Sequence, residues 1–76
     1  MSRIPAKQSA LARFAHNLRV IRTEKGLSQE DVAAEAEISQ TFLSQVESGK
    51  RNVSMNVAER LSQAVGAELI DLLRPF

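Results

Sequence analysis

Apolar residues in this 76-residue chain return at steps of three and four, the spacing of one face of an α-helix, and Val and Ile never alternate with polar residues for long enough to suggest a strand. Over residues 10–25, Leu11, Phe14, Ala15, Leu18 and Ile21 share such a face, with Ser9 placed to cap its start and Gly26 to stop it. Ser28, with Asp31 three positions on, approximates a capping box, whose usual partner is Glu or Gln. It opens a second helix that turns Val32, Ala33 and Ala36 inward and runs to about residue 37. Ser39 caps a third helix, with Phe42, Leu43 and Val46 inward and Gly49 as its stop. Ser54 caps a fourth, which buries Val57, Ala58, Leu61, Ala64 and Val65 before Gly66. A last short helix, from about residue 67, carries Leu69, Leu72 and Leu73 and ends before Pro75, whose ring and missing N–H forbid continuation. The pattern predicts an all-α fold: a compact five-helix bundle over residues 10–76 in one domain, preceded by a flexible extension over residues 1–9.

The second and third helices are short, and only "EIS" separates them, a length at which two helices meet as a helix-turn-helix. Ala33 and Ala36 are small enough to let them approach. In that arrangement the third helix turns Ser39, Gln40, Thr41, Ser44 and Gln45 away from the body and Phe42, Leu43 and Val46 into it. The outward set is polar, uncharged and rich in hydrogen-bonding groups. Gln can pair twice with adenine N6 and N7, Ser and Thr bond to several base edges, and the Thr methyl can touch the thymine methyl.

Charge sharpens this picture. Residues 1–25 carry Arg3, Lys7, Arg13, Arg19, Arg22 and Lys25 against one acid, Glu24, whereas residues 26–49 carry Glu30, Asp31, Glu35, Glu37 and Glu47 and no base. Residues 50–76 return to Lys50, Arg51, Arg60 and Arg74 against Glu59, Glu68 and Asp71. Uneven charge alone is compatible with a set of solvated faces. Combined with the polar outward helix, it suggests base reading in the middle of the chain and phosphate attraction from its flanks, Lys50 and Arg51 included.

"IRTEKGLSQEDVA", "ISQTFLSQVESGKRN" and "LSQAVG" together resemble the phage-repressor and Cro type of helix-turn-helix domain, the Xre-like family, over residues 18–73. The resemblance implies a lambda-repressor-like fold and a sequence-specific regulator of transcription that binds double-stranded DNA as a homodimer on a roughly palindromic operator, with autoregulation as one mode. It places Gln40, Thr41, Ser44 and Gln45 in the major groove. Gln29 and Ser39, at the starts of helices two and three, and Lys50, Arg51 and Asn52 fall at phosphates. It pairs Arg22 of the first helix with Glu47 at the end of the third. Many family members have Pro where this chain has Val53, and "GKRNVSM" looks more like the controller proteins of restriction and modification systems, which are small single-domain dimers. Arg3 and Lys7 could reach a groove as an arm, although fraying is the commoner fate of such an extension.

Dimerisation also has a reading from the residues. A domain of this size buries only about 60% of its unfolded surface, and Ile70 and Phe76 lie off the face made by Leu69, Leu72 and Leu73. Both are therefore expected at a twofold interface, unless Phe76 folds back on its own bundle.

Other chemistry finds little support. With no cysteine and one histidine, His16, neither a disulfide framework nor a metal site is available, and no cofactor or small-molecule ligand is implied. His16 reads as an ordinary partly exposed imidazole. Glu30 and Asp31 sit where carboxylates favour a helix N-terminus, and Glu35 and Glu37 keep the second helix solvated. No nucleophile, glycine-rich phosphate loop or aromatic platform points to an enzyme or a single-strand binder. The start "MSRIPAKQSA" lacks the apolar core of a secretory signal and no run of 18 apolar residues exists, so a cytoplasmic protein with no membrane span is expected. The alternative from another class is an antitoxin or other small helical protein-interaction module.

Overall fold

The structure, a computed structural model, describes residues 9–76; Arg3 and Lys7, the candidate arm, lie outside them. Among the described residues the chain forms five helices and no strand: α1 (Ala10–Glu24), α2 (Gln29–Ala36), α3 (Gln40–Glu47), α4 (Met55–Ala64) and α5 (Leu69–Leu72). α2 packs on α3 and α4, α1 on α3 and α5, and α4 on α5. Between them lies one core built from Phe14 and Leu18 of α1, Val32, Ala33 and Ala36 of α2, Leu43 and Val46 of α3, Ala58 and Leu61 of α4, and Val65 and Leu72. Leu69 and Leu73 are half-buried against that core.

Each of the first four helices starts at a serine whose Oγ accepts from the backbone N–H three residues on: Ser9 from Ala12 at 3.1 Å, Ser28 from Asp31 at 2.9 Å, Ser39 from Phe42 at 3.0 Å and Ser54 from Val57 at 3.1 Å. A helix leaves its first N–H groups without internal partners, and a cap of this kind contributes about 1 kcal/mol. At Ser28 the bond is reciprocated, because the Ser28 N–H donates to Asp31 Oδ2 at 3.3 Å.

The helix ends are less uniform. α1, α3 and α4 close through Gly26, Gly49 and Gly66, all left-handed, with the residue after each glycine bonding back into the last turn. α2 closes the same way without a glycine: Glu37 takes φ +61°, its N–H donates to Ala34 O, and the Ile38 N–H donates to Ala33 O. A left-handed residue with a Cβ costs roughly 1–2 kcal/mol. Packing of Ile38 against the core offsets it. α5 starts later than the residue 67 expected from sequence, because the Ala67 N–H is used in closing α4, on Ser62 O.

Basic and amide side chains from distant helices complete these ends. Lys25 Nζ donates to Val65 O at 2.6 Å, Arg60 Nε to Ala36 O at 2.9 Å, and Arg13 Nε to Leu73 O at 2.7 Å, while Asn17 Nδ2 reaches Leu72 O and Arg74 O at 3.0 and 2.9 Å. Cations at helix C-termini are favoured by the exposed carbonyl dipoles. Gly66 is favoured by its φ of +74°, and a Cβ there would lie 2.7 Å from Lys25 Nζ, so the tip of Lys25 would have to shift.

Candidate nucleic-acid interface

α3 divides cleanly along its length. Leu43 and Val46 are fully buried, Phe42 is half-buried, and Gln40, Thr41 and Ser44 are exposed. Gln45 is half-buried at the edge of the same surface. These four polar residues, joined by Gln29 from the first turn of α2, line one open depression. Its walls are amide and hydroxyl groups, with no ionisable side chain among them.

α3 is held in place by Glu47, whose carboxylate is buried at the end of the helix with a side chain only 3% exposed. Arg22 Nε donates to Glu47 Oε2 at 2.6 Å and Arg22 Nη2 to Oε1 at 3.0 Å, a bidentate pairing of α1 with α3. Arg22 Nη1 also donates to Leu27 O at 2.9 Å. Glu47 Oε1 accepts a third bond, from Gln29 Nε2 at 3.0 Å. A buried ion pair is tolerable only when its remaining donors and acceptors are also satisfied, and no buried side-chain nitrogen or oxygen among the described residues lacks a partner. The same network that anchors α3 fixes the amide of Gln29 at the margin of the depression.

The remaining candidates sit around this surface. Ser39 is exposed and uses its Oγ as an acceptor in the α3 cap, so its hydroxyl proton is available to an outside acceptor. Lys50 is exposed, and its ammonium has no partner among the described residues. Arg51 does not extend freely into solvent: its guanidinium lies 5.1 Å over the Phe42 ring, and Nη1 donates to Gln45 Oε1 at 3.2 Å. Asn52 is exposed and borders an apolar depression with Leu11, Val53, Met55, Leu69 and Leu73.

Two expectations change. Of the flanking bases, Arg13, Arg22, Lys25 and Arg60 are committed to the contacts already described, so positive charge beside α3 comes from Lys50 and Arg51 and, at the helix end near Glu47 and Ser48, from the exposed Arg19. Phe76 does have an intramolecular role: its ring stacks on His16 with centroids 3.9 Å apart, although it remains 54% exposed. Phe76 and Ile70 line separate depressions, Ile70 beside Gln63 and Leu69, and Phe76 beside His16 and Arg19. Ile70 is 67% exposed. The sequence reading overlooked Met55, 73% exposed at the first position of α4; a large apolar residue outside the Val57, Ala58 and Leu61 stripe was the available signal.

No helix among the described residues is long and apolar enough to cross a membrane, and no group of three or more His, Cys, Asp or Glu among them could hold a metal ion.

Known proteins share this architecture. The helix-turn-helix family profile matches residues 18–72. The control protein C.MunI of a Mycoplasma species is 43% identical over 61 residues, covering 79% of this chain and 82% of its own. The crystal structure of the hypothetical transcription factor NHTF from Neisseria superposes with a TM-score of 0.84 at 32% identity, over 99% of this chain and 86% of that one. That of the restriction-modification controller protein C.AhdI from Aeromonas hydrophila gives 0.77 at 39% identity, over 82% and 94%. These relatives are named as regulators, not enzymes. With its polar depression on α3 and the Arg22–Glu47 anchor beneath it, this chain belongs to the helix-turn-helix family, in the Xre-like branch that includes controller proteins.

Proposed function

We propose that the chain is a sequence-specific regulator of transcription that binds double-stranded DNA as a homodimer, on a roughly palindromic operator upstream of its own reading frame. The observation that carries this is the α3 surface: a depression lined by Gln29, Gln40, Thr41, Ser44 and Gln45 that exposes hydrogen-bonding groups and no charge. Such groups match base edges in the major groove, whereas a face built for phosphate alone would be basic. In this reading Gln40, Thr41, Ser44 and Gln45 contact bases. Gln29, Ser39, Lys50 and Asn52 contact phosphates, and Arg51 adds a second positive charge at the edge of the groove.

The twofold interface is proposed around Ile70. Leu69 borders both the depression that holds Met55 and the one that holds Ile70, and so links these exposed apolar residues into a broken run, with Glu59, Gln63 and Glu68 also around Ile70. Phe76 lies outside this run and joins the interface only at its margin. Two recognition helices related by a twofold axis read half-sites about 34 Å apart, one turn of DNA. A protein with this task works in the cytoplasm, beside the DNA.

The experiment is duplex binding at two salt concentrations, with the DNA upstream of this reading frame against a shuffled duplex. Phosphate contacts release counterions, so affinity should fall steeply between 50 and 200 mM salt, roughly 10³-fold for six contacts. Preference for the upstream DNA supports autoregulation, and a methyltransferase and an endonuclease encoded alongside would extend the controller likeness to this chain. Equal, weak binding to both duplexes, with salt-insensitive capture of a protein partner, would favour the interaction-module reading instead.

A further inference from the structure

The contact between Arg51, Phe42 and Gln45 is not what a simple phosphate ligand requires. Both Phe42 and Gln45 belong to α3, so a guanidinium that sits over the Phe42 ring and bonds to the Gln45 amide lies along that helix. Lys50, one residue earlier, shows the contrasting case of an exposed cation with no such restraint. With Cζ 5.1 Å over the Phe42 ring, the guanidinium turns one side to the ring, and its N–H groups other than Nη1 stay free to donate elsewhere.

The bond to Gln45 also decides what that amide presents. A guanidinium only donates, so the Gln45 atom facing it must be Oε1, which leaves Nε2 as the amide's donor to any other partner. Alone, a glutamine matches adenine because its oxygen accepts from N6 while its nitrogen donates to N7. With one lone pair of that oxygen taken by Arg51, the Gln45 and Arg51 pair offers mainly donors, Nε2 and the guanidinium N–H groups, against one remaining acceptor site. The base edge with two adjacent acceptors is that of guanine, N7 and O6.

We infer that Gln45 and Arg51 together read a guanine in each half-site, and that Phe42 is a positioning residue that holds the guanidinium in the plane of that base. This inference rests on the DNA-reading proposal and refines its specificity: Arg51 contacts a base instead of the phosphate that family resemblance implies.

The test is selection from a random duplex pool with the full chain, comparing the parent with Arg51→Ala, Phe42→Leu and Lys50→Ala. The parent should select guanine over adenine by about tenfold at one position per half-site. Arg51→Ala releases Gln45 Oε1 and should shift that position toward adenine. Phe42→Leu should weaken the guanine preference there and nowhere else, and Lys50→Ala should keep it. Because Phe42→Leu also touches the core, a second measurement needs no variant of that residue: 7-deazaguanine at the selected position should lower parent affinity several-fold and leave Arg51→Ala unchanged. An Arg51→Ala protein that loses affinity on all sequences while keeping its guanine preference returns Arg51 to the phosphates and overturns the inference. A parent that enriches no sequence at all defeats the DNA-reading proposal itself, which is a different result.

Discussion

α3 and α5 each bury one side in the same core and expose the other, but what they expose differs in kind. α3 turns out Gln40, Thr41 and Ser44 over buried Leu43 and Val46; α5 turns out Ile70 over buried Leu72. An exposed amide or hydroxyl is well hydrated, and its attraction to a ligand depends on matching donors and acceptors. An exposed Ile beside Leu69 gains simply by leaving water, at roughly 25 cal/mol per Å² buried. The first kind of surface suits discrimination among sequences, and the second suits lasting contact with a protein surface of its own kind. Both are held rigidly from behind, α3 by Arg22 on Glu47 and α5 by Arg13 and Asn17 on the carbonyls of Leu73 and Leu72.

The largest effect should come from removing the support of α3. Glu47→Ala leaves Arg22 and Gln29 facing a cavity where a carboxylate stood, and Arg22→Ala leaves a buried carboxylate with Gln29 as its remaining side-chain partner. Either is expected to cost about 3–5 kcal/mol in urea unfolding, a large part of the stability of a domain this small. The double replacement Arg22→Met, Glu47→Leu should cost much less, because no charge is stranded. A double-mutant cycle without coupling would show that α3 is positioned by its apolar face alone.

Breaking the other surface should leave the fold intact and cost affinity instead. Ile70→Asp is expected to be monomeric in sedimentation at micromolar concentration and to bind a two-half-site operator about 10²-fold more weakly, because the second half-site contact is no longer intramolecular. Phe76→Asp serves as the comparison. Its ring already stacks on His16, so it should lower stability slightly and alter association less than Ile70→Asp. A variant at Ile70 that still dimerises would move the interface elsewhere.

How far these surfaces were legible in the sequence follows from the range of the contacts that build them. The starts of α1 to α4 could be read because a serine cap acts over three residues. The outward face of α3 could be read because helical period alone separates Gln40, Thr41 and Ser44 from Leu43 and Val46. The end of α2 carried no such mark: Glu37 is left-handed because Ile38 must turn into the core, a tertiary requirement that overrides the local preference for glycine. The same holds for Arg60 on Ala36 O and Lys25 on Val65 O, which join positions 24 and 40 residues apart. Charge counting therefore overstated how many bases face outward. Arg51 was legible as a cation next to α3, but its place over Phe42 depends on the path of the loop after Gly49.

Alanine at the α3 surface should separate reading from folding. Gln40→Ala, Thr41→Ala and Ser44→Ala each remove an exposed polar group that supports no core residue, so unfolding in urea should change by no more than about 0.5 kcal/mol. Binding to the selected operator should weaken by about 1–3 kcal/mol per substitution, and sedimentation should stay that of the parent. If all three bound operator DNA as tightly as the parent, α3 would not be the reading helix, and the contrast with α5 would lose its functional meaning.

The smallest effect, and the one that distinguishes attraction from recognition, is expected at Lys50. Its ammonium is exposed and has no partner among the described residues, so Lys50→Ala should leave stability unchanged. If it lies at a phosphate, its loss removes one released counterion per subunit. A plot of log affinity against log salt should then flatten by about one unit for each Lys50 in the complex, and by the same amount on operator and shuffled duplexes. The ratio of the two affinities should be preserved, since a phosphate carries no sequence information. Arg51→Ala is the informative neighbour: were it also to preserve that ratio, both cations would serve attraction only, and base reading would be left to the uncharged residues of α3. Loss of the ratio at Arg51 with retention at Lys50 would place the boundary between attraction and recognition within two adjacent residues.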